Sequence, residues 1–353
     1  MIDEPVRLAA LLPRLNASPW IAMDTEADSL HAYPEKLCLL QFSHAEGDDL
    51  VDPLNGLNLK PLFKLLHGRE LILHGADYDL RLLRRTFNFV PLKIFDTMLA
   101  ARLLGYMQFG LAHLVTKCLN VEIEKGPQKM DWARRPLTPR MEAYARNDTH
   151  FLKPLSDLLR GELQSKGRLS WHEQTCARLI AECSQVPEID PDQLWRIKGS
   201  DRLDSKGLAF LRELWQWREE EALTANRPPY FILSHEVLVG AAQSAASQSD
   251  LEEVIPKHIN PRRRRGIADV VQRVAELPER DYPKPYKPAY YRASVEEQKR
   301  FNALRKRRDA KASELHIDPT LIASKGTLSA FARDREKALP NIMNWQRELL
   351  GEG

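Results

Sequence analysis

Four acidic side chains sit where one chemistry could use them together: Asp24 and Glu26 in WIAMDTEADS, Asp79 in LHGADYDL and Asp148 in YARND. Asp24 and Glu26 stand two apart at the end of a short apolar run. If that run is a strand, both carboxylates leave the same face and can converge on one cation. The spacing itself is common, since Asp77/Asp79, Glu122/Glu124 and Asp190/Asp192 share it. What separates the first pair is the apolar strand that delivers it to a carboxyl end, where ligands of α/β sheets gather. Asp77 reads as the N-cap of the next helix, which leaves Asp79 in the first turn facing the strand ends. Asp148 lies in an apolar helical stripe, where a charge is costly unless it is paired or holds a metal. A salt bridge to a nearby arginine is the alternative. Four carboxylates with no His or Cys beside them suit Mg²⁺ or Mn²⁺ rather than zinc. Two such divalent cations, roughly 4 Å apart, activate a water and stabilise the departing 3′ oxygen of a phosphodiester. Tyr144, one turn before Asp148 on the same helix face, is placed to orient that water.

The elements that must position these groups can be read from the same pattern. WIAMD (20–24), KLCLLQF (36–42) and DLVDP (49–53) are apolar, turn-bounded runs at close intervals and predict adjacent strands, with ELILHG (70–75) as a fourth. Helices follow: one carrying Leu80, Leu83 and Phe87, and another from about Thr97 to Leu104 that stops at Gly105. Thr138-Pro139 opens a long helix that Pro154 should kink or interrupt, and a further helix covers about 168–184. Strands followed by strand–helix alternation predict an α/β fold, a mixed sheet flanked by helices. The pattern breaks around Pro187 and Pro191. Helices are then expected at about 204–225, 234–245, 249–255 and 261–277, and beyond the Pro/Tyr-rich stretch 278–291 comes a last helical section.

Several chemistries lack their signature. The sequence holds no G-x-S-x-G, no G-x-x-x-x-G-K-[ST], no G-x-G-x-x-G and no H-E-x-x-H, which argues against serine hydrolase, motor ATPase and dinucleotide redox activity. No apolar run reaches the roughly 20 residues of a membrane span. The first residues read as an amphipathic helix, and the expected setting is a soluble protein in the cytoplasm. Cys38, Cys118, Cys176 and Cys183 then read as free thiols. His172, Cys176 and Cys183 fall at helical spacing and are read as core rather than as a metal site. Net charge is only +3, yet residues 261–311 alone carry +9, which suits an anionic polymer. Solvated helix faces are the alternative.

The ordered motifs resemble the DEDD family of 3′→5′ exonucleases: D-x-E in MDTEADS, Tyr78-Asp79 in HGADYDL, and Tyr144-x₃-Asp148 in YARND. FDTMLAARLLG (95–105) and MDWARRPLT (130–138) also match, so the resemblance covers about residues 18–160. The family's histidine variant would need His at position 143, which here is Ala143; Tyr144 places the chain in the tyrosine variant. The resemblance implies a ribonuclease H-like exonuclease domain in which Asp24 bridges two ions, Glu26 and Asp148 complete one site, and Asp79 serves the other through water. SKGLAFLRELWQWREEEALTANRPPYFILSHEVL resembles an HRDC domain, and this combination is similar to the ribonuclease D group. The expected organisation is an exonuclease domain over 1–185, a linker over 186–203, an HRDC domain over 204–280 and a second, HRDC-like helical domain over 281–353. One departure is Ala27-Asp28-Ser29, where an aromatic commonly adjoins the substrate's 3′ end.

The resemblance implies hydrolysis of RNA 3′ ends to 5′-nucleotides, with tRNA precursors or other structured RNA as partner, no membrane contact and a monomeric chain. A DNA exonuclease and a catalytically silent nucleic-acid scaffold are the competing readings. For binding, Arg262, Arg263, Arg264 and Arg265 open one helix, and Arg305, Lys306, Arg307 and Arg308 lie in another, as candidate phosphate contacts. Tyr282, Tyr286, Tyr290 and Tyr291 could stack on unpaired bases or pack against their neighbours.

Overall fold

The apolar runs of the first half assemble into a five-stranded sheet in a computed structural model that describes residues 1–353 except 124, 125, 127, 128, 186–189, 287–290 and 352–353. The strands are β1 (Ile21–Ala27), β2 (Leu37–His44), β3 (Gly47–Val51), β4 (Glu70–Leu73) and β5 (Lys93–Asp96), in the order β3-β2-β1-β4-β5. β1 pairs antiparallel with β2 and parallel with β4, and β4 pairs parallel with β5. The sheet is therefore mixed, as the sequence predicts, and β1, β4 and β5 end on one edge. Every residue of β2 is buried, because helices cover both of its faces.

Between and after the strands lie α1 (Pro5–Ala17), α2 (Lys60–His67), α3 (Asp77–Phe87), α4 (Thr97–Leu104), α5 (Leu111–Leu119), α6 (Pro139–His150), α7 (Leu152–Ser165) and α8 (Leu169–Ser184). Side-chain alternation sorts the strands into two layers. Ile21, Met23, Leu40, Phe42, Leu71 and Leu73 pack with Leu8, Leu11 and Leu15 of α1 and Leu62 and Leu66 of α2. On the opposite face, Leu39 and Leu50 meet Met141 and Ala145 of α6, and Ala22 and Ile72 meet Leu152 of α7. Fully burying one such Leu or Ile contributes about 1.5–3 kcal/mol, so the sheet edge that carries the acids rests on a stiff base.

Local signals account for most boundaries. Thr138 caps α6, its hydroxyl accepting from Met141 N at 3.3 Å, with Pro139 at the first helical position. The long helix breaks at Phe151, three residues before Pro154, whose missing N–H and ring are tolerated only in a first turn. α4 ends at Gly105, with φ of 91°. Two expectations change. β5 is a strand that the sequence pattern does not signal, and Asp77 is not the cap of α3: Ala76 occupies that position, without a side-chain cap bond. Asp77 instead pairs with Arg81 at 3.0 Å.

By contacts the chain forms two units, one of Met1–Ala27, Leu37–Val186 and Tyr291–Gly353, the other of Asp28–Lys36 and Pro187–Tyr290. In the first unit, α14 (Val295–Leu315), α15 (Pro319–Ile322), α16 (Lys325–Arg333), α17 (Arg335–Ala338) and α18 (Asn344–Leu350) do not form a separate core. Leu304, Ile322, Phe331 and Trp345 share one with Ala100, Leu104, Leu155 and Leu159. Trp345 also stacks on Trp171 with ring centroids 4.9 Å apart. The second unit contains α9 (Pro191–Leu194), α10 (Ser205–Ala225), α11 (Pro229–Ile232), α12 (His235–Ala246) and α13 (Pro261–Ala275). They enclose Trp195, Leu208, Leu214, Leu238 and Ile267. Pro187, read from the sequence as a boundary marker, lies outside the described residues. Among the described residues no helix is long and apolar enough to cross a membrane.

Candidate active site

The D-x-E pair lies toward the end of β1, on the face that α6 covers. Asp24 stands opposite Gln41 of β2 and Glu26 opposite Leu39, so both carboxylates share the layer of Gln41 and Ser43. Ser43 Oγ meets Thr149 Oγ1 of α6 at 2.7 Å, fixing α6 over β2 beside Asp148. Asp79 arrives from β4 through His74-Gly75-Ala76. Gly75 has φ of 71°, a conformation a side chain would strain, and lets the chain turn into α3. Thr25, pointing away from its two acidic neighbours, donates from Oγ1 to Asp79 Oδ1.

The four acids feel one another. Asp24 is held well above the usual carboxylate range, first by burial, then by the charges of Asp79, Asp148 and Glu26. Burial, with Asp148 and Asp79, pushes Glu26 up to about 9. Asp79 rises to about 7 through burial, partly offset by the Thr25 hydroxyl. Asp148 rises to about 7 through burial, partly offset by a hydrogen bond from Tyr144. The sequence-predicted quartet and Tyr144 are thus brought together. Among the described residues no arginine pairs with Asp148, and its Oδ2 is buried without a hydrogen-bond partner. Among the described residues no three His, Cys, Asp or Glu side chains already stand in a metal-holding group. An orphaned carboxylate oxygen in an all-oxygen donor set fits a hard divalent cation.

Sequence reasoning did not single out three residues that lie at or lead to the site. Thr25 is signalled only by its place inside D-T-E. Gln41 carries no motif. Asp96, fully buried, accepts from Gly75 N (3.1 Å) and Ala76 N (2.8 Å) while capping α4 through Met98 N (2.8 Å) and Leu99 N (3.0 Å). It closes the turn that leads to Asp79, the place where the sequence pattern points to Asp77. The His172, Cys176 and Cys183 group is core: His172 Nε2 meets the Asp96 carbonyl at 3.0 Å, and all three are buried.

The two basic runs lie at the start of α13 and within α14, as the sequence predicts. In the second unit, Arg262 and Arg263 pair with Glu221, and Arg264 pairs with Glu252 and binds the carbonyls of Ile259 (3.0 Å) and Pro256 (2.8 Å). Arg265 is exposed. In the first unit, Arg307 binds the Leu350 carbonyl, and Arg308 binds Asp309 and the Ala323 carbonyl (2.9 Å). Arg305 and Lys306 are exposed. A cleft of about 630 Å³ beside α14 is lined by Arg305, Arg308, Lys325, Arg333 and Tyr291. Tyr282 packs on the core of its unit, Tyr286 is exposed, and Tyr291 lies under Arg333 at 4.1 Å. Tyr290 lies outside the described residues.

Comparison with known proteins places this geometry. Residues 1–164 match a family described as 3′-5′ exonuclease, and residues 207–268 match the HRDC domain. Ribonuclease D of Gluconacetobacter diazotrophicus is 30% identical over 98% of this chain and 89% of its own length. The chain belongs to the ribonuclease D family. It is a 3′→5′ exoribonuclease. Ribonuclease D of Zymomonas mobilis is 37% identical over 72% of this chain and 66% of its own length. Among solved structures, Escherichia coli RNase D, described as an exoribonuclease involved in structured RNA processing, superposes with a TM-score of 0.76 at 27% identity. It covers 100% of this chain and 96% of that one. The catalytic core of RRP6 from Trypanosoma brucei gives a TM-score of 0.65 at 28% identity, covering 78% of this chain and 79% of that one. A ribonuclease D-family exonuclease body followed by an HRDC domain is what the sequence motifs imply.

Proposed function

We propose that this exoribonuclease removes nucleotides from RNA 3′ ends by two-metal-ion hydrolysis, with Asp24, Glu26, Asp79 and Asp148 as the metal ligands, and that tRNA precursors are among its substrates. The observation that carries the reading is that Asp24 and Glu26 on one face of β1, Asp79 in the first turn of α3 and Asp148 on α6 lie close enough for the other three acids to act on Asp24. Bound divalent cations would supply the charge that replaces retained protons, a nucleophilic water and stabilisation of the leaving 3′ oxygen. Tyr144 donates to Asp148, which fixes the ring, and its oxygen keeps lone pairs that can accept from the attacking water. Thr25 holds Asp79 through Oδ1 with a neutral hydroxyl, which sets the carboxylate without cancelling its charge. Domain boundaries follow the same reading: exonuclease over 1–185, HRDC over 204–280, and a second HRDC-like helical segment over 281–353. RNA phosphates would be met by the exposed Arg265, Arg305 and Lys306.

The test incubates the full chain with a 3′-extended tRNA and, in parallel, single-stranded DNA, with Mg²⁺ or Mn²⁺ and with a chelator. Metal-dependent shortening of the tRNA, abolished in Asp24→Ala, is expected. Equal shortening without metal, or unchanged activity in Asp24→Ala, would refute the carboxylate assignment.

A further inference from the structure

Gln41 is fully buried, yet among the described residues neither its side-chain oxygen nor its nitrogen has a hydrogen-bond partner. A primary amide carries two donors and an acceptor, and leaving all of them unmet inside a core costs stability. Such a residue is usually replaced by Leu or Met unless something uses it. The strand register says what lies beside it. Gln41 is the antiparallel partner of Asp24, so the two Cβ atoms share one face and lie about 4.5–5.5 Å apart. Of the neighbours on that face, Leu39 is apolar and packs with Met141 and with Trp132, whose Nε1 is itself without a partner among the described residues, while the Ser43 hydroxyl is taken by Thr149 and Asp48. A second buried oxygen without a partner, Asp148 Oδ2, belongs to α6, which covers this strand. Unmet polar atoms thus cluster around Asp24.

We propose that Gln41 is a positioning residue for the cation site, its side-chain amide donating to the Asp24 carboxylate and holding it in the rotamer that binds the metal. The inference rests on the reading of Asp24 as a metal ligand. A neutral donor suits this place. Lysine or arginine would neutralise the carboxylate and compete with the cation, and a fifth acid would add repulsion. Having no exposed surface, Gln41 cannot touch RNA, so it acts only through Asp24.

The test compares wild type, Gln41→Met, Leu39→Met and Asp24→Ala as full chains. Mn²⁺ affinity is read by titration calorimetry, melting temperature in chelator, and kcat and KM on a 3′-extended RNA. Met keeps the length and burial of Gln without the amide. Expected for Gln41→Met are a melting temperature in chelator equal to or above wild type, Mn²⁺ affinity weakened about tenfold, a fall in kcat and an unchanged KM for RNA. Leu39→Met, on the same face, should leave Mn²⁺ affinity as it was. Should Gln41→Met not fold, Gln41→Asn withdraws the amide by one methylene and is read the same way. Mn²⁺ affinity within twofold of wild type in the folded variant overturns the proposal. If Asp24→Ala also leaves Mn²⁺ binding intact, the site assignment itself has failed; if only Asp24→Ala weakens it, Gln41 alone has been misread.

Discussion

Replacing Asp96 by Ala should damage the enzyme twice over, although Asp96 is not one of the four acids. Its carboxylate serves four backbone N–H groups, those of Gly75, Ala76, Met98 and Leu99, and it is fully buried. Losing a helix cap alone costs about 0.5–2 kcal/mol. Stranding the buried Ala76 donor adds about 1–3 kcal/mol, and the half-buried Gly75 donor less, because it can turn toward water. A total of about 3–5 kcal/mol follows, which for a unit of this size lowers the melting temperature by roughly 10 °C. The catalytic effect comes through the turn, because Asp79 lies three residues beyond Ala76. A displacement of about 1 Å there would cost on the order of 10²-fold in kcat. Asp96→Asn separates the contributions. Its one oxygen can keep the bonds to Gly75, Met98 and Leu99, while its NH₂ confronts the Ala76 N–H, so a loss of about 1–3 kcal/mol is expected. Thermal denaturation and single-turnover shortening of a 3′-extended RNA, at one temperature well below both transitions, read the two effects. If Asp96→Ala melts within about 3 °C of wild type and turns over normally, the Asp96 carboxylate does not hold the turn.

Other expectations concern the acids and their surroundings. Tyr144→Phe keeps the ring but removes the donor to Asp148, so kcat should fall about 10²-fold or more while KM for RNA stays near wild type, as steady-state kinetics will show. A Cβ on Gly126 would run into the Tyr144 ring, so Gly126→Ala should displace the ring and lower kcat without a comparable loss of melting temperature. In chelator, stability should fall as pH rises. Asp79 and Asp148 (about 7) and Glu26 (about 9) retain protons that an unfolded chain releases near pH 4, so the contribution is complete below that pH and lost through 7 and 9. Mn²⁺ should oppose the trend, stabilising strongly at pH 8 and little at pH 5; a flat or rising melting temperature in chelator between pH 6 and 9 would contradict it. Replacing Arg262–Arg265 together by Ala should reduce the salt slope of RNA affinity by about 0.7 for each phosphate that is no longer neutralised. Since Arg262, Arg263 and Arg264 are ion-paired, filter binding over a salt series should show a change nearer that of one phosphate than of four.

Chemistry was more legible in the sequence than support. Asp24, Glu26, Asp79, Tyr144 and Asp148 could be named because each sits on an element whose period or cap is written locally: an apolar strand, a first helical turn, and a helix opened by Thr138-Pro139. β5 was missed because its four residues are too few to show alternation. Asp96 was missed because a buried Asp before Thr97 looks like any N-cap; its second task, gripping the Gly75–Ala76 turn, depends on β4 lying beside β5. Asp77 attracts that assignment because it is the acid nearest in sequence, and nearness along the chain is a poor guide where parallel strands bring distant loops together. The joint core of Leu304 and Trp345 with Leu155 and Leu159 was equally hidden, since an apolar helix face declares that it will be buried but not against what. The partners of the arginine runs were not legible either. A cluster of basic residues reads as a ligand surface, yet most of these guanidinium groups are spent on carboxylates and helix-end carbonyls.

A site of four acids works against its own folding, so whatever holds it together must do so without neutralising it. The bonds around it fit that requirement. Thr25 takes one oxygen of Asp79, and Tyr144 takes Asp148 while Oδ2 stays unpartnered. Both donors are neutral hydroxyls, strong enough to set a rotamer and too weak to replace a cation. The arginines that could have quenched the charge are engaged elsewhere: Arg81 pairs with Asp77, and Arg146 lies 3.9 Å from Glu142. Raised proton affinity is the consequence: burial favours the neutral form of each acid first, and the neighbouring charges add to it. A divalent cation therefore has to displace protons to bind, which ties metal loading to pH more steeply than any single carboxylate would. Substituting one acid by its amide should weaken that coupling even where it spares the fold. The proton count released per Mn²⁺ bound, measured by calorimetry in buffers of different ionisation enthalpy, should then drop from wild type to Asp148→Asn, and an unchanged count would mean that the acids titrate independently of the metal.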